Sequence, residues 1–324
     1  MSSSNYAYNV ALVGAGGNQG KYVAQELVKS GKHTVTAITR ADSKAKLPAG
    51  VVSKIVDYND TSSLVEGLRG QDVLVITMSV AAPPDTQTKL IDAAKEAGVK
   101  FVIPNEWGYD SERNPQLLYD MLIGERVIKV REYCQTKGIP FIGVCGGFWY
   151  EFSLGGGDVR YGFEIEKREF TRIDDGNVKI STSTWDQVGR GTAGLLSLKL
   201  YPESADDREP TISSFFNKSV CVESFRVSQN DMFEEIKKVT GTTDADWKIK
   251  NEKHKERYDR GVQMLRTQGD WNGFAMAMYT RSFFPTQDAV MPTIQNKLFN
   301  LPQEDFEECT KGAVEYEKTA VKYE

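Results

Sequence analysis

Histidine is nearly missing from this chain: only His33 and His254 occur in 324 residues. That argues against a histidine-based triad and a zinc site, and no metal is expected. The four cysteines, Cys134, Cys145, Cys221 and Cys309, form no Cys-x-x-Cys pair. They read as reduced thiols used for packing, which points to the cytoplasm. No apolar run approaches the length needed to span a bilayer, and the start MSSSNYAYN is too polar for a signal peptide. No membrane partner is expected. There is no excess of basic charge: 40 Lys and Arg stand against 45 Asp and Glu, net −5. The pI of about 5.4 argues against nucleic acid as a partner. Internal repeats and low-complexity tracts are absent as well.

What is present is the composition of an ordinary globule, 40% hydrophobic and 26% charged. The informative stretch is Val10–Gly20, VALVGAGGNQG. Val10–Val13 is a short apolar run, as in a strand buried on both faces. Gly14, Gly17 and Gly20 follow at intervals of three. Helical periodicity then begins at Tyr22, with Val23, Leu27 and Val28 on one stripe. A strand, a glycine turn and a helix N-terminus make an anion site, because backbone N–H groups and the helix dipole face a phosphate that can come close. A dinucleotide is the expected ligand; a tight structural turn is the alternative.

Strand and helix signals alternate through the first 150 residues. Strands are expected at Thr34–Thr39, Val51–Val56, Asp72–Thr77, Val99–Ile103 and Ile139–Val144. Helices are expected over Thr61–Leu68, Thr86–Ala97 and Leu117–Thr136. Such a βαβ series demands a parallel sheet with right-handed crossovers. The second strand ends at Arg40, with Ser43, Lys44 and Lys46 after it. An acidic residue there would bind a ribose 2′-OH; a guanidinium suits a 2′-phosphate, so NADP(H) is favoured over NAD(H).

Beyond residue 150 the alternation loosens. Phe163–Thr171, Val178–Ser183 and Val220–Val227 read as strands. Asp186 reads as the N-cap of a helix reaching Leu200, and Ser228 as the cap of Asn230–Thr240, ended by Gly241. Trp271, Phe274, Ala275 and Met278 share a helical face, read as core or as pocket lining. The division expected is a cofactor domain over 1–150, with 178–200 and 219–228 returning to it, and a smaller part over 151–324.

Taken together, VALVGAGGNQG, the Arg40 ending, FVIPNEWGYD at 101–110, GIPFIGVCGGFWYEF at 138–152 and STSTWDQVGRGTA at 181–193 resemble the NmrA-like, isoflavone-reductase-like family, most of all its fungal CipA-type branch. The resemblance implies an α/β fold: a Rossmann-type doubly wound parallel sheet binding NADP(H), with a second, smaller α/β substrate domain. It implies that Gly14, Gly17 and Gly20 take the pyrophosphate and Arg40 the 2′-phosphate. Asn18 and Gln19 lie in the same turn and Lys44 just past Arg40. Ser79 and Asn105 would border the nicotinamide. A small, aromatic substrate is implied, and a homodimer stays open.

One position departs from the pattern. Reductases of the family carry a lysine thirteen residues before the proline matching Pro140, and here that residue is Val127. The Tyr-x-x-x-Lys string Tyr133–Lys137 sits at the far end of the same helix and reads as a chance match. Replacement proton donors are sought at the ligand-bearing edge: Glu106, Tyr109 and Tyr150, with Glu151 beside the last. For Glu106 the alternative is a structural carboxylate. Trp107, Phe148 and Trp149 would shape an aromatic pocket. Three function classes follow: an NADPH-dependent reductase of an aromatic or polycyclic metabolite, a non-redox cyclase or isomerase retaining NADP(H) as a scaffold, and an NADP(H)-sensing regulator.

Overall fold

The structure is a computed structural model that describes residues 5–79 and 82–319; residues 1–4 of the polar start lie outside it. The first part runs β1 (Asn9–Val13), α1 (Gly20–Lys29), β2 (Thr34–Thr39), β3 (Val52–Ile55), α2 (Thr61–Leu68), β4 (Val73–Ile76), α3 (Thr86–Glu96), β5 (Phe101–Ile103), α4 (Pro115–Asp120), α5 (Gly124–Lys137) and β6 (Ile142–Cys145). The rest runs β7 (Phe148–Trp149), α6 (Tyr150–Leu154), β8 (Phe163–Glu164), β9 (Glu169–Ile173), β10 (Ile180–Ser183), α7 (Trp185–Leu196), β11 (Lys218–Cys221), β12 (Phe225–Val227), α8 (Gln229–Thr240), β13 (Lys248–Glu252), α9 (His254–Gln268), α10 (Trp271–Ser282) and α11 (Phe306–Thr319).

Strands β1 to β5 form one parallel sheet in the order β3-β2-β1-β4-β5. A parallel bridge from Val102 to Phe141 carries it on toward β6, which pairs in parallel with β11. This is the Rossmann-type doubly wound arrangement. Side chains alternate across it. Val10 and Leu12 face a core shared with Val23 and Leu27 of α1 and Val188 and Leu195 of α7. Ala11 and Val13 face a second core built with α2, α3 and α5. All four of these β1 side chains are buried. Burying each valine or leucine stabilises by about 1.5–3 kcal/mol. Two smaller sheets, β12-β10-β7 and β13-β9-β8, surround a third, aromatic-rich core.

Several elements differ from their sequence expectation. The helix expected over Leu117–Thr136 is broken into α4 and α5, with Leu122 between them at φ 63°. The cause is close packing, since a Cβ on Gly124 would lie 2.5 Å from the Tyr119 backbone nitrogen. The strand expected over Val220–Val227 is two strands in different sheets: β11 extends the main sheet and β12 runs antiparallel to β10. Helix α7 is capped by Thr184, which accepts from the Gln187 N–H at 2.9 Å, and it ends at Leu196. Asp186 already lies inside its first turn. Ser228 and Asp231 form a capping box and Gly241 closes α8 at φ 65°, as expected. On α10 the buried face is Gly273, Met276, Ala277 and Thr280, while Trp271 is 58% exposed. The reason is tertiary: Gly261 of α9 and Gly273 of α10 let the two backbones touch, a Cβ on Gly273 falling 2.6 Å from the Gly261 oxygen.

Candidate functional site

The turn between β1 and α1 is built by contacts that exclude side chains. Gly14 has φ 79°, and a Cβ there would stand 1.8 Å from the Thr77 carbonyl oxygen. A Cβ on Gly20 would stand 2.1 Å from the Gly14 oxygen. Thr77, just past β4, donates its hydroxyl to the Val13 carbonyl at 2.8 Å and so ties the two strand ends together. Gly17 and Asn18 are exposed, at the outer side of the turn. Gln19 is the N-cap of α1, yet its side chain caps nothing, and no acidic residue occupies the first turn. The Lys21 and Tyr22 N–H groups bond the Gly17 and Gln19 carbonyls, and with no side-chain cap the helix presents its positive dipole end to whatever the turn holds.

The loop after β2 closes over the same place. A Cβ on Gly16 would meet the Ala45 Cβ at 2.7 Å and the Lys46 oxygen at 2.9 Å. Arg40 stands at the end of β2 with its guanidinium 3.3 Å from Asp42. Both side chains are largely exposed, and such pairs contribute little, so Arg40 is easily redirected to a phosphate. Lys44 is exposed in the same loop. These residues fit a phosphorylated dinucleotide: a cradle that any side chain would fill, an uncapped helix end, and cations where a 2′-phosphate would reach.

Ser79 is exposed in the loop after β4. Asn105 serves that loop rather than facing outward: its amide accepts from the Met78 N–H and donates to the Met78 carbonyl, each at 3.0 Å. Trp107 is buried and donates to the Ile76 carbonyl at 3.0 Å. The ends of β4 and β5 are thus clamped to each other.

The three expected proton donors are all buried and engaged elsewhere. Glu106 accepts two hydrogen bonds from Arg131, at 2.8 and 2.6 Å, and one from Ser111 at 2.6 Å. Burial pushes its carboxyl up, and the Arg131 guanidinium opposes this. Bidentate geometry holds the two as an ion pair, which corrects the expected acid role of Glu106 to a structural one. Arg131 also donates to Ser219 at 2.7 Å, linking the β5 loop to β11. Tyr109 donates to the Ser181 carbonyl at 3.1 Å, and Tyr150 bonds Thr310 at 2.8 Å. Burial drives both phenols well above their ordinary range. Val127 packs with Ile123 against the aromatic-rich core. Tyr133 and Lys137 share Asp92 of α3, each at 2.7 Å. That cluster lies at the α5 C-terminus.

A different constellation adjoins the glycine turn. Gln19, 3% exposed, donates to the Trp185 carbonyl at 3.4 Å, and its Oε1 is buried without a partner. The indole nitrogens of Trp149 and Trp185 are also buried and unpartnered. Tyr22 stacks on Trp185 at 5.8 Å, and Trp149, Phe152 and Tyr316 complete an aromatic wall. Glu151 lies in this wall, its Oε2 accepting from the Trp185 N–H at 3.4 Å. Burial pushes its carboxyl up to about 8. The WYEF run marked this stretch as a candidate pocket, but nothing in the sequence joined it to Gln19 or Trp185.

A parallel doubly wound sheet with a glycine turn at its first strand defines a dinucleotide-binding class of protein. The NmrA-like family model matches residues 7–154. The oxidoreductase aprR of Aspergillus flavus is 31% identical over 239 residues, covering 72% of this chain and 74% of its own length. The phenylcoumaran benzylic ether reductase Pyrc5 of Pyrus communis is 27% identical, over 56% of this chain and 62% of its own length. The chain belongs to the NmrA-like family. Solved structures share the fold: an isoflavone reductase superposes with a TM-score of 0.72 at 18% identity, covering 98% of this chain and 100% of its own. The leucoanthocyanidin reductase–NADPH complex from Vitis vinifera does so with 0.72 at 18%, covering 94% and 99%.

Proposed function

We propose that this chain binds NADP(H) and reduces a small aromatic metabolite in the cytoplasm. The observation that carries the reading is the turn sealed by Thr77, in which Gly14 and Gly20 admit no side chain before an uncapped helix. Its supports are Arg40 and Lys44 beside that turn and kinship with reductases. A solved complex of AtPrR2 holds NADP+ and (+)pinoresinol on the same fold, with a TM-score of 0.72.

NADPH, when bound, would supply a hydride from its nicotinamide. The chain's own residues do the rest. Amides of the turn hold the pyrophosphate, and Arg40 with Lys44 takes the 2′-phosphate. Asn105 holds the Ser79 loop against the nicotinamide side through Met78. Trp149, half-buried beside Trp185 and Phe152, offers apolar surface to an aromatic ring. The test is calorimetric titration with NADPH and NADH, then NADPH consumption against a panel of aromatic carbonyl compounds. Tighter NADPH binding and consumption with at least one acceptor support the reading; equal affinities or no consumption refute it.

Val127 favours a second reading. An apolar side chain there cannot stabilise a developing alkoxide. In this reading the pocket cyclises or rearranges its ligand while NADP(H) stays unspent. Product formed without loss of NADPH would establish it.

A further inference from the structure

Native proteins pair nearly all of their buried polar groups, so three unpaired ones in one cluster point to a ligand. Here the Gln19 Oε1 is an unused acceptor, and the Trp149 and Trp185 indoles are unused donors. They come from α1, β7 and α7, and all three residues border the Glu151 region. The cluster begins at the N-cap of α1, directly after the glycine turn.

We propose that Glu151 is the proton donor of the reaction, and that Gln19, Trp149 and Trp185 bind the aromatic carbonyl compound whose oxygen it protonates. This rests on the reductase reading above. The donor set selects the chemistry. Two indole N–H groups and a neutral carboxyl donate to a carbonyl oxygen, and the Gln19 Oε1 accepts from an adjacent hydroxyl. The ligand class is therefore an aromatic carbonyl compound carrying a neighbouring hydroxyl group, packed against the half-buried Trp149 indole.

The step balances. NADPH, when bound, would supply a hydride and its electron pair to the carbonyl carbon and become NADP+. The C=O π pair moves onto oxygen, and that oxygen takes the Glu151 proton to give an alcohol. Glu151 remains as carboxylate and regains a proton from water.

The surroundings of Glu151 keep it neutral. Burial is the main cause, opposed by the backbone N–H groups of Glu151 and Trp185, and the negative charges of Glu304 and Asp186 add to it. Tyr22, Tyr161 and Cys309 face it as neutral groups, their own ionisation opposed by burial. The nearby cations are taken: Arg190 pairs with Glu304 at 2.9 Å, and Arg160 lies 3.5 Å over the Phe152 ring while donating to the Phe152 carbonyl.

The test uses the full chain loaded with NADPH, salicylaldehyde as the probe, and Glu151→Gln. Reduction is followed by loss of NADPH fluorescence, and NADPH affinity is measured for both proteins. Wild type should lose kcat/KM tenfold per pH unit above about 8, where Glu151 ionises. Glu151→Gln should bind NADPH normally, lose about 10²–10⁴-fold in kcat and lose that alkaline limb. A second readout needs no turnover: tryptophan emission should titrate with a midpoint near 8 in wild type and not in Glu151→Gln. Reduction that survives Glu151→Gln with an unchanged pH profile overturns the proposal and leaves the reductase reading standing. No consumption of NADPH by wild type with salicylaldehyde or any aromatic carbonyl overturns the reductase reading and this proposal with it. An emission midpoint in the ordinary carboxylate range overturns the proposal by itself. If Glu151→Gln fails to fold, Trp149→Phe replaces it: KM for salicylaldehyde should rise severalfold with the alkaline limb kept, and an unchanged KM overturns the ring-binding role.

Discussion

At the residue scale, the charges that matter differ in how wet they are. Arg40 is exposed and paired with Asp42. Arg40→Ala should erase most of the preference for NADPH over NADH, about 1–3 kcal/mol, as measured by calorimetry with both cofactors. Glu106 and Arg131 are the opposite case: the carboxylate side chain is 3% exposed and fully partnered. Arg131→Ala leaves that charge buried with only the Ser111 hydroxyl beside it, so urea melts should show a loss of about 3–5 kcal/mol. A loss below 1 kcal/mol would show that Glu106 does not depend on this partner. The positions of Arg40 and the three glycines were legible in the sequence, because their spacing and their place beside apolar strand runs carry the signal. The partners of Glu106, Tyr109 and Tyr150 were not. Arg131, Ser181 and Thr310 lie 25, 72 and 160 residues away along the chain.

At the element scale, the β1–α1 turn has no tolerance. Gly14→Ala adds a methyl 1.8 Å from a carbonyl oxygen at a φ of 79°. Both faults act together, and NADPH binding should be lost even where circular dichroism shows folded protein. Retained affinity would mean that the turn relaxes and does not set the site. Helix α5 makes the complementary point. Its C-terminal Tyr133 and Lys137 bond Asp92, away from the glycine turn. Tyr133→Phe should leave NADPH affinity and turnover within twofold of wild type. A fall of several orders of magnitude in kcat with the fold intact would place that end of α5 at the reaction instead.

At the scale of the whole molecule, Glu151 couples stability to pH. It is neutral in the fold up to about pH 8, while an ordinary carboxyl of this kind ionises near 4.5. The native state thus holds an extra proton between these values, and stability falls as pH rises through that window, by at most about 1.4 kcal/mol per unit. Glu151→Gln should flatten this decline, so its advantage over wild type in Tm should grow from pH 5 to pH 8; a constant difference would refute the coupling. The sequence by itself determined the alternation of strands and helices, the parallel sheet, the glycine turn and the cation at the β2 end. All of these show in the periodicity and spacing of residues along the chain. Tertiary structure alone decided that the 220–227 segment splits between two sheets, that α10 buries the Gly273 face, and that Gln19, Trp149, Glu151 and Trp185 meet. Those outcomes depend on which distant surfaces pack together, and residue spacing along the chain does not carry that information.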